Sequence, residues 1–573
     1  MSDVILNDFD DEEQKEIEKN LKKHSSNKLK IILSLSIIII IGIVVAIVII
    51  VLKNKSDKED NKQSGIDFDI STVNFNPEIL YQGSHYNYDG DLVIIYKKTE
   101  QGNYSLAISD DNGKIINKLY EFQKNEVDET YIHRASSFSD GKRILIGGKI
   151  LECVDNEKKL KDCEKTILID VEFPKELNKL PNLWFLFTEP IINYGGKYIF
   201  WSTFDKALNI INFVGELNFK NGKYIIENTK GLSNYFYDLY NKENGTYSLP
   251  KILRFGPIKQ VIDGGKALSI GGFLNYGLRK GIYQSLSKDE LTQLTFFEGY
   301  DETTAISPDS KLACVMTTRF SEKTSFEIVG LIPTPYSILA SYLVSIDILN
   351  YSIFNLRSNP KIKGNIGPAL VELDKVKNDK NYKGKNLCTN DSWNFNGFIS
   401  WSPDGKKIMF DEVDKNSKKR RCQIVKLKNY EPGNIKFEDN FNINVPYART
   451  INETMNLHLD YPINIKVDGK SGYLEIHHDE NICEINYYNY TEDNEVFYTG
   501  KYSYEKFNDK KYAIFQENIK SEGKKKGNCD FRLWFDTSTN MFLFDEHTDG
   551  NKKSYGSCNY EGKTINVDIY KQE

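Results

Sequence analysis

Two hydrophobic textures divide the chain. Residues 31–52, "IILSLSIIIIIGIVVAIVIIVL", form one uninterrupted apolar run of 22 residues without a charge, bracketed by Lys30 and Lys53. At a helical rise this run spans roughly 33 Å, the thickness of a bilayer core. From about residue 80 onward the apolar residues come instead in short runs, each preceded by a turn signal and a charged residue. Runs of that length read as strands covered on both faces. "SWSPDGKKIMF", 400–410, shows the unit best. Pro403 pre-sets the first central turn position, Asp404 offers a carboxylate to the turn backbone, Gly405 accepts positive φ, and Ile408–Phe410 enter a buried strand.

The unit recurs. "ISPDSKLACV" (306–315) keeps the order, and "FSDGKRILIG" (138–147) lacks only the proline. Looser copies are "YDGDLVIIY" (88–96), "NYGGKYIFW" (193–201) and "IDGGKALSI" (262–270). The aligned turn positions are Gly90, Gly141, Gly196, Gly265, Ser310 and Gly405, spaced by 51, 55, 69, 45 and 95 residues. The last interval has room for one further, degenerate copy. Periods of this size belong to propellers or solenoids built of short strands.

"IYQSLSKDELTQLTFFEGYDETTAISPDSKLACVMTT", 282–318, strings together a strand, Gln293-Leu294-Thr295, Tyr300-Asp301 and the turn unit. This resembles the TolB-like, WD-related β-propeller repeat, in which such a string runs from one blade into the next. "SYLVSIDILNYSIFNL", 341–356, resembles the third strand and turn of a blade, and the likeness extends over about 80–440. It implies an all-β fold with a propeller of six to seven blades. Beyond about 446 the turn unit disappears. "YLEIHHDENICEINYYNY" and "CDFRLWFDTSTNMFLFDEH" alternate strands with polar turns, which predicts a separate, small β-rich module. The expected organisation is a cytoplasmic tail (1–30), a single transmembrane helix (31–52), a juxtamembrane linker (53–70), the propeller (71–445) and the C-terminal module (446–573).

Charge orients the span. Six lysines precede it (15, 19, 22, 23, 28, 30) and four follow it (53, 55, 58, 62), which favours a cytoplasmic N-terminus and an extracellular or lumenal C-terminal region. The formal net charge of −6 gives no broad basic footprint for nucleic acid, and the bilayer is the one partner written into the chain. All eight cysteines lie beyond the span. Cys153 and Cys163 flank a polar loop between two apolar strands and are expected to pair; Cys529 and Cys558 bracket the last hairpin and form a second candidate pair. Cys314 reads as a buried thiol inside a strand. Asn103, Asn244, Asn350, Asn390, Asn452 and Asn489, with Asn54 in the linker, are N-glycosylation sequons.

Catalytic chemistry is harder to find. Membrane-anchored propellers also occur in dipeptidyl-peptidase-like hydrolases, but no Gly-x-Ser-x-Gly elbow exists in this chain, so the resemblance brings no peptidase activity with it. "SDDNGKII", 109–116, partly resembles the Asp-box of sialidase-like propellers but lacks its Thr-Trp ending, and reads as a structural turn. In "EIHHDENICE" (475–484) a strand would send His477 and His478 to opposite faces, so no metal site is assigned there. His133 reads as a hydrogen-bonding residue at a blade edge, and "KNSKKRRC" (415–422) as a solvated hairpin tip. No cofactor is expected. The sequence therefore predicts a membrane-anchored binding module for a protein, peptide or glycan, with an unrecognised hydrolase or lyase site in the propeller as the alternative. Clustered Asp, Glu and His at one channel mouth would favour the enzyme; an exposed aromatic or apolar patch would favour binding.

Overall fold

The computed structural model describes residues 65–570, apart from 321–365 and shorter stretches, the longest being 128–134, 180–187, 205–209, 234–239, 248–253, 273–279, 438–442, 456–462 and 545–552. The span at 31–52, the candidate strand at 341–356, His133, Asn244, Asn350 and Asn390 lie outside the described residues. Among those described, no helix is long and apolar enough to cross a membrane.

Six four-stranded units, each antiparallel within itself, follow one another along the chain; the second and third are joined through their outer strands into one larger sheet by the parallel pairs Tyr224↔Val171 and Ile225↔Glu172. Blade 1 comprises Leu80–Tyr86, Leu92–Lys97, Tyr104–Ser109 and Ile115–Glu121; blade 2, Ala135–Ser137, Arg143–Ile146, Lys149–Cys153 and Thr166–Glu172. Blade 3 comprises Thr188–Ile192, Tyr198–Phe204, Ile210–Lys220 and Lys223–Gly231; blade 4, Ile258–Ile262, Ala267–Gly272, Lys280–Ser285 and Leu291–Gln293. Blade 5 is built of Asp301–Ile306, Leu312–Thr317, Gly367–Glu372 and Lys385–Asn386. Blade 6 takes Trp393–Trp401, Lys407–Asp414 and Arg420–Leu427, and its outermost strand is Phe68–Thr72 from the start of the described chain, paired from Phe68↔Leu427 to Thr72↔Gln423. The first strands of successive blades neighbour one another in sequence order, and that of blade 6 returns to that of blade 1. The result is a six-bladed propeller whose ring is closed by the N-terminal strand.

The short apolar runs now have a cause. Each hydrophobic cluster straddles two blades: Val93, Ile95 and Leu106 of blade 1 pack with Ile144, Ile146 and Leu151 of blade 2. Tyr81, Leu92 and Ile94 of blade 1 likewise meet Met409 and Ile424 of blade 6. Second and third strands are therefore covered on both faces, and periodicity of two is lost. The residue type at the aligned turn position also has a cause. All six aligned turn positions take positive φ: 87° at Gly90, 69° at Gly141 and Gly196, 99° at Gly265, 60° at Ser310 and 68° at Gly405. Each turn joins the first strand of a blade to its second. Ser307 and Ser402 close their turns alike: Ser310 N–H and Gly405 N–H donate to their carbonyls at 2.8 and 2.9 Å, and each serine Oγ accepts an N–H from the start of the next strand at 2.9 Å. The Asp of the Tyr300-Asp301 pair is fully buried and holds Arg319 through Nη2–Oδ2 at 2.8 Å and Nε–Oδ1 at 3.3 Å.

The third strand of blade 5 is Gly367–Glu372, paired along its whole length with Leu312–Thr317. One expectation needs correcting. The linker does not run to 70, because Phe68–Ile70 already belong to blade 6. Of the interval of 95 residues between Ser310 and Gly405, residues 321–365 lie outside the described residues.

After blade 6 the chain crosses to blade 3, where Arg449–Thr450 pair with Lys230 and Gly231 and the turn of helix Ile451–Met455 packs on its core. A nine-stranded meander follows from Ile463 to Asn566. Its strands alternate in burial, as in "GNCDFRLWFD" at 527–536, because one face is packed and the other wet.

Candidate functional site

First strands of neighbouring blades are not hydrogen-bonded to each other, so their backbone groups and turns need partners from across the blade boundary. Short polar side chains supply them. Ser136 Oγ of blade 2 accepts from Ile192 N–H of blade 3 at 3.3 Å, and Ser202 Oγ of blade 3 accepts from Ile258 N–H of blade 4 at 3.0 Å. Gln260 of blade 4 clasps Ile306 of blade 5, donating to its carbonyl at 3.1 Å and accepting from its N–H at 2.7 Å. Trp401 Nε1–H donates to Ala305 O at 2.8 Å, and Ser400 Oγ accepts from Tyr86 N–H at 3.1 Å, tying blade 6 to blades 5 and 1. Between blades 1 and 2 the link is His85 Nε2 with Ser137 Oγ, 2.8 Å. These groups surround a central cavity of about 300 Å³ that opens among the turns between first and second strands.

The mouth is aromatic. Tyr88 and Tyr194 occupy the second position of the turns in blades 1 and 3, where blades 5 and 6 carry Pro308 and Pro403. Their rings meet edge to face at 5.0 Å, and Phe437 stacks on Tyr194 with centroids 4.6 Å apart and planes 12° apart. Phe437 also meets the edge of Tyr88 at 5.9 Å and remains 37% exposed. Burial, reinforced by Tyr194, pushes the Tyr88 phenol up to about 12.

Ionisable groups around the cavity are few and engaged. Burial pushes His85 down to about 4, leaving a neutral imidazole. The ammonium of Lys259 pairs with Glu302 at 3.3 Å, both side chains nearly buried, and Glu302 also accepts from Tyr300 Oη at 2.5 Å. Asp263 accepts from Tyr283 Oη at 3.0 Å. The Ser137–His85 contact has the composition of a nucleophile and base. Among the described residues no carboxylate stands behind the imidazole to orient it, and the bond joins two blades. The mouth is thus aromatic, the character named above as favouring binding.

The other sites named from sequence fall elsewhere. Cys153–Cys163 is a disulfide with Cα atoms 5.8 Å apart at the outer edge of blade 2, and Cys529–Cys558 joins directly opposed strands of the C-terminal sheet. Cys314 is a buried thiol, as are Cys422 and Cys483. Asn103, Asn452 and Asn489 are exposed. In "SDDNGKII" the Asp110 carboxylate accepts from the N–H groups of Asn112 and Lys114, both 2.9 Å, and Asp111 pairs with Lys407 of blade 6 at 2.8 Å. His477 and His478 do take opposite faces, one reaching Asn464 Oδ1 and the other the Asp479 carbonyl, both at 2.7 Å. "KNSKKRRC" turns the hairpin between the second and third strands of blade 6, with Lys418 at φ 60°. Glu517, Cys529 and Cys558 bring metal-capable atoms within 4.8 Å of one another, but both sulfurs are committed to the disulfide.

No protein-family model and no curated protein matches the chain. Solved structures similar to it include a protein assigned as TolB from Agrobacterium tumefaciens, at 12% identity over 59% of this chain and 84% of that one, TM-score 0.30. TolB from Acinetobacter baumannii gives 11% identity over 62% and 64%, TM-score 0.26, and a prolyl endopeptidase 8% over 86% and 55%, TM-score 0.24. The propeller assignment rests on the strand pairing itself and not on these distant likenesses.

Proposed function

We propose that the chain is a single-pass membrane protein whose propeller is an exoplasmic binding module, receiving a segment of a protein or peptide at the mouth of its central channel. The observation that carries this reading is the aromatic mouth, with Tyr88 and Tyr194 set on turns above a cavity of mixed lining whose charged groups, Lys259 and Asp263, are already engaged. Aromatic rings give large contact area at low entropic cost, and turns fixed by a rigid scaffold hold them in place. The interior below supplies hydroxyl, amide and neutral imidazole groups, suited to backbone amides or sugar hydroxyls more than to ions. The uninterrupted apolar run at 31–52 supports the anchor, the disulfides an oxidising compartment, and the exposed sequons at Asn103, Asn452 and Asn489 glycosylation there.

Site-specific photocrosslinking in intact cells tests the reading. A photoreactive residue at 194 is expected to give a discrete adduct that Tyr88→Ala removes. A control at Lys118, exposed on the outer strand of blade 1, is expected to give none. Equal labelling from both positions, or none from 194, overturns the proposal.

A further inference from the structure

In the C-terminal sheet the strand Ile482–Thr491 alternates buried residues with more exposed ones up to Tyr487, and then breaks the rule. Tyr487 and Tyr490 are buried, while Tyr488 and Asn489 between them are both exposed. The cause is a β-bulge. Tyr487 pairs with Gly500 and Tyr490 with Tyr498 on the following strand, so Tyr488 and Asn489 share the single position of Thr499. Asn489 takes φ 51°, and the preceding strand makes room with Gly472, where a Cβ would lie 2.2 Å from Asn489 O and 2.3 Å from Tyr488 O. Two side chains adjacent in sequence are thereby delivered to solvent together.

The Tyr488 ring is held in place. It stacks on Tyr473 with centroids 4.6 Å apart and planes 25° apart, and its Oη donates to Glu475 Oε2 at 3.2 Å. With Tyr473 on one face, Tyr488 is still 43% exposed. Asn489 opens the sequon Asn489-Tyr490-Thr491. We infer that Asn489 carries a glycan whose first sugar lays its C–H face on the open face of Tyr488, so that the stacked tyrosines are the seat of the chain's own sugar. This rests on the exoplasmic placement proposed above and adds a seat for the glycan that none of the sequons alone implies. In the transfer, Asn489 Nδ2 bonds to the anomeric carbon of a pyrophosphate-activated sugar donor; the pyrophosphate leaves with the electron pair of the C–O bond, and Nδ2 gives up one proton. Thr491 is fully buried, its hydroxyl accepting from Asn494 N–H at 3.0 Å and donating to Asp493 Oδ1 at 3.2 Å, so transfer precedes closure of the sheet. The other exposed sequons are built differently. Asn103 follows Gly102, and Asn452 follows Ile451, which packs on the core of blade 3.

The test uses the full chain purified from membranes, with its glycans trimmed enzymatically to one N-acetylglucosamine, and the same chain produced with N-glycosylation blocked. Tyrosine nitration, mapped by mass spectrometry, is expected to be several-fold slower at Tyr488 in the glycosylated chain. At Tyr555, 54% exposed on the same sheet, it is expected to be equal in both. Asn489→Gln, glycosylated elsewhere, is expected to match the sugar-free chain at Tyr488. Amide hydrogen exchange across residues 482–491 is expected to be slower with the sugar than without it. Tyr488→Ala removes that difference and Tyr488→Phe, which keeps the ring, retains it. Occupied Asn489 with equal nitration of Tyr488 in the two chains overturns the seat, as does an exchange difference that survives Tyr488→Ala. Sugar found on Asn103 and Asn452 but not on Asn489 overturns the seat alone and leaves the exoplasmic placement standing. Sugar on none of the three overturns that placement and the seat with it.

Discussion

Asp309 and Asp404 sit at the same position of the same turn, yet their replacement has different consequences. Asp404 is exposed and serves its own turn alone, so Asp404→Ala is expected to cost on the order of 1 kcal/mol in chemical denaturation and to leave the mouth unaltered. The carboxyl of Asp309 is pushed up by burial, but hydrogen bonds from Ser307, Tyr430, Gly433 and Lys311 outweigh this and hold it below the usual range. Asp309→Ala therefore loses more stability than Asp404→Ala. Equal losses in the two variants would mean that the contacts from Tyr430 and Gly433 to Asp309 contribute nothing. At Gly405 an added Cβ would lie 3.3 Å from Pro432 Cγ at φ 68°, so Gly405→Val combines strain with crowding and costs more than Asp404→Ala. Ser310 shows that a small side chain tolerates this conformation at φ 60°. Two other residues contribute to the response to pH. Burial raises Asp411 to about 7, despite opposing contributions from Tyr81 and Arg420, while burial lowers His85 to about 4. A raised carboxyl stabilises the fold below its unfolded value near 3.8 and loses that contribution as pH climbs through 7. A lowered imidazole stabilises above 6.5 and loses its contribution as pH falls through 4. Melting curves taken between pH 4 and 8 are expected to show Asp411→Asn gaining on the wild type as pH rises through that window. His85→Gln is expected to gain as pH falls. Parallel slopes for the two variants would contradict both assignments.

At the scale of elements, what could be read from the sequence depended on whether an element leaves a local steric mark. The six turns were legible because positive φ selects Gly or a small polar residue, and each copy supplied one: Gly90, Gly141, Gly196, Gly265, Ser310 and Gly405. The first strands of the blades were not. Ala135–Ser137 is three residues long, and its role depends on Ile192 and His85, more than 50 residues away. Tyr88 and Tyr194 stood inside the recognised turns, but nothing in the turn unit says that its second position faces a channel. Phe437 follows no periodicity at all. The third strand of blade 5 was missed because its partner lies 50 residues upstream, beyond the reach of any repeat spacing. The closing strand Phe68–Thr72 was hidden for the same reason, since it pairs with residues some 350 positions away. Its importance is testable. It supplies the fourth strand of blade 6, and Thr72 Oγ1 donates to Gln423 Oε1 at 3.0 Å. A chain starting at residue 74 is expected to melt several degrees below one starting at 66, with the deficit appearing as an earlier opening between blades 6 and 1. Identical melting would mean that the ring does not depend on this strand.

At the scale of the whole molecule, the remaining question is which side of the membrane the propeller faces, and the proposed topology places it outside the cytoplasm. Six lysines before the apolar run against four after it give a modest bias, which alone would be a thin argument. The disulfides add an independent one. Cys153 and Cys163 close a short loop at the outer edge of blade 2, and both sulfurs are buried against the blade 1–2 core. Closure of such a loop contributes roughly 2–3 kcal/mol, and only an oxidising compartment maintains the bond. Non-reducing peptide mapping of protein from the membrane fraction is expected to recover Cys153 and Cys163 as one linked pair. In sealed microsomes, residues 66–573 are expected to resist protease added from the cytosolic side and to become sensitive only after detergent. Glycosidase treatment is expected to shift the protected fragment through the exposed sequons at Asn103, Asn452 and Asn489. The three readouts depend on different chemistry, so they fail separately. Free thiols with a protected, glycosylated fragment would refute the disulfide and keep the topology. Digestion of the C-terminal region from the cytosolic side would reverse the topology, because a folded propeller in that compartment cannot be shielded by the bilayer.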